Sequence, residues 1–189
     1  MIDPYVAPRS HEGAMRWADR SLEEKMTSIP WAESYLGQLR ALAGDRTLLF
    51  VGSRAVLRDT SGRVLLIRRA DNGYWALPAG AMELGESIAQ CVVREVREET
   101  GLIATEVTPF AFHTGPEHTF TNMYGDTYQL FVISFRIDGW SGELLRATDE
   151  TIDAGFFPPD TLPTPLSSTV AETLRDLDAF ERTGRLVLR

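Results

Sequence analysis

The chain has 189 residues, 43% of them apolar, and a formal net charge of −8. That length fits one domain with an extension better than two full domains, and the apolar fraction is ample for a core. The acidic balance argues against backbone-driven binding of long nucleic acids, and the single cysteine, Cys91, excludes an internal disulfide.

In chain order, the opening MIDPYVAPRSHEG lacks the apolar region of a signal peptide, and no run is long and apolar enough to suggest a membrane span. A cytoplasmic location is the expectation. Residues 10–44 read as mostly helical, divided by Pro30 into a segment over 12–26 and another over 31–42 that Gly44 closes. Tyr35, Leu36, Leu39 and Leu42 recur at helical spacing, so this second segment needs a surface, either its own domain or a second subunit in a homodimer. Residues 48–57 are strand-like, Asp59 to Gly62 is a turn, and 64–68 form the next strand. Asp71-Asn72-Gly73 turns the chain toward Trp75. Ser87 suits an N-cap and Gly101 a C-cap, with no Gly or Pro between them, which predicts a helix. Strands follow over 107–113 and 129–137, then a loop at Gly139-Trp140-Ser141-Gly142 and a short strand over 155–157. A closing helix over 168–183 ends at Gly184. The pattern predicts an α/β (α+β) fold with helices covering a central mixed sheet, a helical extension over 1–45 and the main domain over 46–189.

The window 80–102, GAMELGESIAQCVVREVREETGL, carries the chemistry. On the predicted helix, Glu95, Glu98 and Glu99 stand at i, i+3 and i+4, which places three carboxylates within one turn. A solvated acidic face normally offers a basic partner at i+4, whereas Glu95 has Glu99 there. A hard divalent cation is the expected neutraliser, and Mg²⁺ in particular joins protein carboxylates to substrate phosphates. Ile88, Val92 and Val96, with Ala89 and Val93 beside them, form the opposite, core-facing stripe.

This window resembles the signature of the Nudix hydrolases, G-x5-E-x7-R-E-U-x-E-E-x-G-U with U aliphatic. Gly80, Glu86, Arg94, Glu95, Glu98, Glu99 and Gly101 fill the fixed positions, and Val96 and Leu102 the aliphatic ones. At roughly 7% per position, seven accidental matches have a chance of about 10⁻⁸ per frame. The preceding strands over 62–69 and 75–78, and Phe156-Phe157-Pro158 near the end, also look like this family. One departure is Pro78-Ala79-Gly80, where the family commonly has Pro-Gly-Gly. Alanine is costly at positive φ, so position 79 must either be extended or sit in a rearranged loop.

The resemblance implies an α/β/α sandwich and assigns roles. Glu95 and Glu99 look like the principal metal ligands, Glu98 a further ligand or holder of water, and the Gly80 carbonyl a backbone ligand. Arg94 orients Glu95, and Glu86 lies outside the ligand arc. A further acid from a loop near the end of the sheet is expected at Glu150, with Asp149 as the alternative. The catalytic set is then Glu95, Glu98, Arg94 and Glu150, with Glu95 and Glu150 competing for the role of base. Arg68 is the candidate for binding substrate; Arg68 and Arg69 alternate faces, so at most one of them faces the site. Phe120 and Tyr128 are candidates to stack a nucleobase, the blander reading being core. For His113 and His118 a structural or surface role is favoured, and for Cys91 simple packing.

The implied activity is hydrolysis of a diphosphate bond in a nucleoside diphosphate linked to another group, dependent on Mg²⁺, for which Mn²⁺ can substitute. The expected partner is a small nucleotide-type substrate, with no long nucleic acid and no membrane. A non-catalytic nucleotide-sensing domain is the alternative reading. Pro116, fifteen positions past Gly101, resembles the ADP-ribose class of the family.

Overall fold

The structure, a computed structural model, describes residues 15–16 and 29–189. Its centre is the strand β2 (Leu48–Leu57), whose last four residues are buried on both faces. Their alternation divides the core. Ala55 and Leu57 join a cluster with Ala89, Val92, Val93 and Val96 of the helix α2 (Ile88–Thr100). Val56 joins Val170 and Leu177 of the helix α3 (Ser168–Thr183) on the other face. The strand β3 (Val64–Arg69) follows the same rule, Leu65 packing toward α2 and Val64 and Leu66 toward α3. Two apolar layers on opposite faces make an α/β/α sandwich, and each fully buried Val or Leu contributes about 1.5–3 kcal/mol.

The larger sheet is mixed. The strand β8 (Thr127–Ser141) pairs in parallel with all of β2, from Tyr128 opposite Leu48 to Ile137 opposite Leu57. On its other side it pairs antiparallel with β6 (Ile103–His113) and with the short β7 (Thr119–Thr121). The strand β5 (Ala79–Ala81) closes the opposite edge by antiparallel pairing with β2. A second sheet has the order β4 (Trp75–Ala76), β3, β9 (Thr151–Phe157). Among the described residues no helix is long and apolar enough to cross a membrane.

Several sequence expectations need correction. Within the helix expected over 12–26, Met15–Arg16 form a short strand, β1, antiparallel to β6 at Val107 and Glu106; the rest of that segment lies outside the described residues. The expected helix over 31–42 divides into a 3₁₀ turn, Trp31–Glu33, and α1 (Tyr35–Ala43), because the Ser34 side chain caps α1 by accepting from Gly37 N–H. Its apolar stripe is only partly covered: Leu36 is buried, but Tyr35 and Leu42 are exposed. Gly139 to Ser141 continue β8 and are no loop, because β6 reaches back to pair with them through two bulges and Trp140 stacks on Phe156. The strand β10 (Val187–Leu188) runs parallel to β6 and had no sequence signal.

Candidate active site

The acids of α2 are placed by its two caps. Ser87 accepts from Gln90 N–H at 3.2 Å while the Gln90 side chain accepts from Ser87 N–H at 2.8 Å, a reciprocal capping box. At the other end Gly101, at φ 74°, takes the left-handed conformation and donates to Arg97 O. Between these caps the apolar stripe fixes the rotation of the helix, so the opposite arc faces β5.

There β5 and α2 meet without a gap. A Cβ at Gly80 would lie 2.1 Å from the Glu95 carboxylate, so only glycine lets this acid reach the strand. Ala79 N–H donates to Glu99 Oε2 at 2.9 Å. Ala79 itself is extended and paired with Arg54, which resolves the departure from Pro-Gly-Gly: the position needs no positive φ.

Arg94 ties three acids together. Its Nε and Nη2 donate to both oxygens of Glu86 at 3.0 and 2.8 Å, while Nη1 donates to Glu95 Oε1 at 2.7 Å and Glu98 Oε2 at 3.0 Å. Nη2 also donates to Ala81 O, pinning the guanidinium to β5. The resemblance assigns Arg94 to Glu95; its bonds to Glu86 and Glu98 were not part of the sequence reading. One guanidinium among three carboxylates is still a deficit of positive charge, and Glu98 Oε1 is buried with no partner.

Electrostatics reflect that deficit. Burial, reinforced by Glu98 and Glu150 and opposed by Arg94, pushes the Glu95 carboxyl up to about 7. Burial and the neighbouring Glu95 raise Glu99 well above the ordinary carboxylate range. Glu98 is raised by burial too, with Arg94 opposing. A divalent cation would relieve the repulsion among these oxygens, so their chemistry fits one. In this structure Glu95 and Glu98 turn to Arg94, and Glu99 to Ala79 N–H. Among the described residues, the grouping with all ligand atoms within 4.8 Å of one another is elsewhere, at His113, His118 and Glu172.

A cavity of about 250 Å³ opens above the acids, lined by Glu95, Glu98, Arg94, Ala79 to Ala81, Glu83, Arg69 and Glu150. Glu150 arrives from the turn before β9, its carbonyl accepting from Ala70 N–H. Asp149 does not line the cavity. Glu99 lies beneath the floor, 2% exposed.

The expected substrate contacts are rearranged. A register shift in the β3–β9 pairing falls between Arg68 and Arg69. Arg68 turns away, donating to Gly73 O, and Arg69 lines the cavity beside Glu150. Phe120 and Tyr128 stack on each other at 5.6 Å but stand one layer back, and Phe50, edge-on to both, reaches the cavity in their place. Arg40 of α1 covers Tyr128, 4.6 Å from its ring centre, which leaves that ring 2% exposed. Ile29, Trp31 and Ser34 complete the wall. Sequence reasoning did not place Phe50, Trp31 or Glu83 at the cavity; for Trp31 the available sign was the apolar segment ahead of β2 that needed a surface to cover. Cys91 is buried and its thiol pushed up to about 12 by burial, an inert packing group.

Comparison with known proteins agrees with this geometry. The NUDIX domain family model matches residues 49–177, more than half of the chain. A MutT-like protein of Streptomyces ambofaciens is 36% identical over 130 residues, covering 68% of this chain and 75% of that one. An ADP-ribose pyrophosphatase of Methanocaldococcus jannaschii is 34% identical over 108 residues, 56% of this chain; the match spans only 60% of that relative's length. The crystal structure of a MutT NUDIX hydrolase from Burkholderia pseudomallei superposes with a TM-score of 0.58 at 26% identity, covering 70% of this chain and 99% of that one. With the signature glycine pressed against the signature carboxylates and the family model spanning both, this chain belongs to the Nudix hydrolase family.

Proposed function

We propose that the protein hydrolyses the diphosphate bond of a nucleoside diphosphate linked to another group, with Mg²⁺ as the natural cation and Mn²⁺ able to replace it. The observation that carries this is the convergence on one cavity of Glu95 and Glu98 from α2, Glu150 from a separate loop, and Arg69, whose guanidinium is held by Asp71. Glu95, Glu98, Glu99 and the Gly80 carbonyl would hold the cation. When bound, it polarises phosphoryl oxygens and lowers the pKa of water.

The chain's own residues supply the rest. Arg94 holds Glu95 and Glu98 in fixed orientations, so little reorganisation is needed when charge develops on phosphorus. Arg69 offers a guanidinium for the non-bridging oxygens of the diphosphate. Glu95 and Glu150 both reach the cavity and either can take the proton of the attacking water. Phe50 and Trp31 present aromatic surface to the group attached to the diphosphate.

Residues 29–45 act as a cap that is part of the binding site. Tyr35 N–H donates to Glu83 Oε2 at 2.8 Å, so the start of α1 is bonded to the loop that follows β5. This supports a substrate-capping role for the extension more than a dimer contact. The relative named as an ADP-ribose pyrophosphatase makes ADP-ribose the first compound to try.

The test is product analysis by mass spectrometry on a panel of nucleotide sugars, dinucleotides and nucleoside triphosphates, with Mg²⁺ and with chelator. Expected products are two phosphorylated fragments, or a monophosphate and pyrophosphate from a triphosphate. Turnover of none of these, or orthophosphate released from monoesters, would sink the reading.

A further inference from the structure

A second cluster lies on the face of the large sheet opposite the acids. Ser53 of β2 meets Cys91 of α2, whereas the next residue, Arg54, points the other way and donates to Thr173 Oγ1 of α3 at 2.8 Å. Glu172 precedes Thr173 on α3, His113 ends β6, and His118 ends the 3₁₀ turn Pro116–His118. Three separate elements thus converge here, and none of these three residues lines the cavity.

Glu172 Oε2 is 3.9 Å from His113 Nδ1 and 4.0 Å from His118 Nδ1, and the two rings stand perpendicular with centres 5.2 Å apart. These distances are too long for hydrogen bonds. His113 is 1% exposed, yet neither of its ring nitrogens has a partner, and His118 Nε2 is buried and unpartnered as well. Each such buried group costs about 1–3 kcal/mol, so the arrangement calls for a ligand. Burial, helped by the charge of Arg54, lowers His113 to about 4, leaving the neutral imidazole that ligates metals.

We propose that His113, His118 and Glu172 form a second metal site, chemically distinct from the acids of α2 and selective for Zn²⁺ or a similar transition ion. Two imidazoles and one carboxylate suit such an ion, whereas Mg²⁺ takes oxygen ligands. Ligand atoms of a tetrahedral Zn²⁺ site stand about 3.3–3.5 Å apart, given bonds of about 2.0–2.2 Å. The two distances to Glu172 exceed this by roughly half an ångström and all three ligand atoms lie within 4.8 Å of one another, so closing the site takes small movements of both the partly exposed Glu172 side chain and the turn that carries His118. The charges of Arg54 and Arg189 oppose a cation here, and Glu172 together with Asp176, itself paired with Arg189, offsets them. Three protein ligands leave a fourth position for water. Bound there, the ion would tie the end of β6 and the following turn to α3.

The test is equilibrium dialysis of the full chain carrying Glu99→Gln against micromolar Zn²⁺ with millimolar Mg²⁺ present, followed by elemental analysis. Glu99→Gln weakens competition from the acids of α2. About one zinc per chain is expected, falling to below about 0.2 when His118→Gln is added. Addition of Zn²⁺ should raise the melting temperature of the parent and not of the His118→Gln form, and Co²⁺ bound to the parent should give visible bands that His118→Gln removes. Should His118→Gln fail to fold, Glu172→Gln, on the more exposed side of the cluster, supplies the same comparison. Less than about 0.2 zinc per chain in the parent, or equal zinc in parent and folded variants, would overturn the site.

Discussion

Glu99 shows how much one buried carboxylate can decide. Its Oε2 accepts from Ala79 N–H, and it is almost wholly buried. Glutamine keeps an oxygen for Ala79 and removes the charge that Glu95 repels. Glu99→Gln should therefore reduce turnover by several orders of magnitude, while the melting temperature in chelator stays unchanged or rises. Near wild-type turnover would remove Glu99 from the site. Glu95 makes a second prediction through pH. Its folded pKa of about 7 lies above its ordinary value of 4.5, so its contribution to stability is present below pH 4.5 and lost as pH rises through 7. At Asp71 desolvation raises the carboxyl, but the hydrogen bonds and charge of Arg69 together with backbone N–H groups bring it below its ordinary value, an effect of opposite sign. The decisive quantity is thus a difference: in chelator, the melting temperature of Glu95→Gln relative to wild type should climb between pH 5 and 7.5. A flat difference would contradict the burial of an ionisable Glu95.

At the scale of elements, the helix that carries the acids is specified locally. Ser87 and Gln90 bond each other reciprocally, and Ser87→Ala should cost about 1 kcal/mol and lower the melting temperature by roughly 2–4 °C. An unchanged melting temperature would show that tertiary packing alone holds the first turn. This local character is why α2, α3 and their capping glycines, Gly101 and Gly184, were legible in the sequence. Strand partners were less so. Residues 139–141 carry two glycine-flanked turn signals, yet they pair with β6 because bulges there bring Ala104 opposite Trp140. Arg68 and Arg69 illustrate the same limit, since the side chain that reaches the cavity depends on a register shift against β9 that is some 80 residues away in sequence. The grouping of Glu95, Glu98 and Glu99 on one turn could be read from spacing, and their roles came from the resemblance. Phe50 and Trp31 could not, because their approach to the cavity depends on how α1 docks.

For the molecule as a whole, the acids of α2, the sheet edge at β5 and the segment ahead of β2 line one cavity. Tyr35 N–H on Glu83 and Arg40 over Tyr128, with its ion pair to Asp126, hold α1 against the domain. Removing residues 1–44 would uncover Tyr128 and take Trp31 from the wall of the cavity. KM should rise by about tenfold or more with a smaller change in kcat, and Trp31→Ala alone should reproduce part of it. An unchanged KM together with an unchanged mass in solution would make the segment an appendage. The central claim, that the acids of α2 direct water to phosphorus in a diphosphate, is tested most directly by hydrolysis of ADP-ribose, or of the best substrate from the panel, in ¹⁸O-labelled water with Mg²⁺. Mass spectrometry should find the label in the phosphoryl group of one fragment only, and chelator or Glu99→Gln should suppress the reaction. Label in a dephosphorylated sugar or nucleoside, meaning cleavage at carbon, or undiminished hydrolysis in chelator, would contradict it.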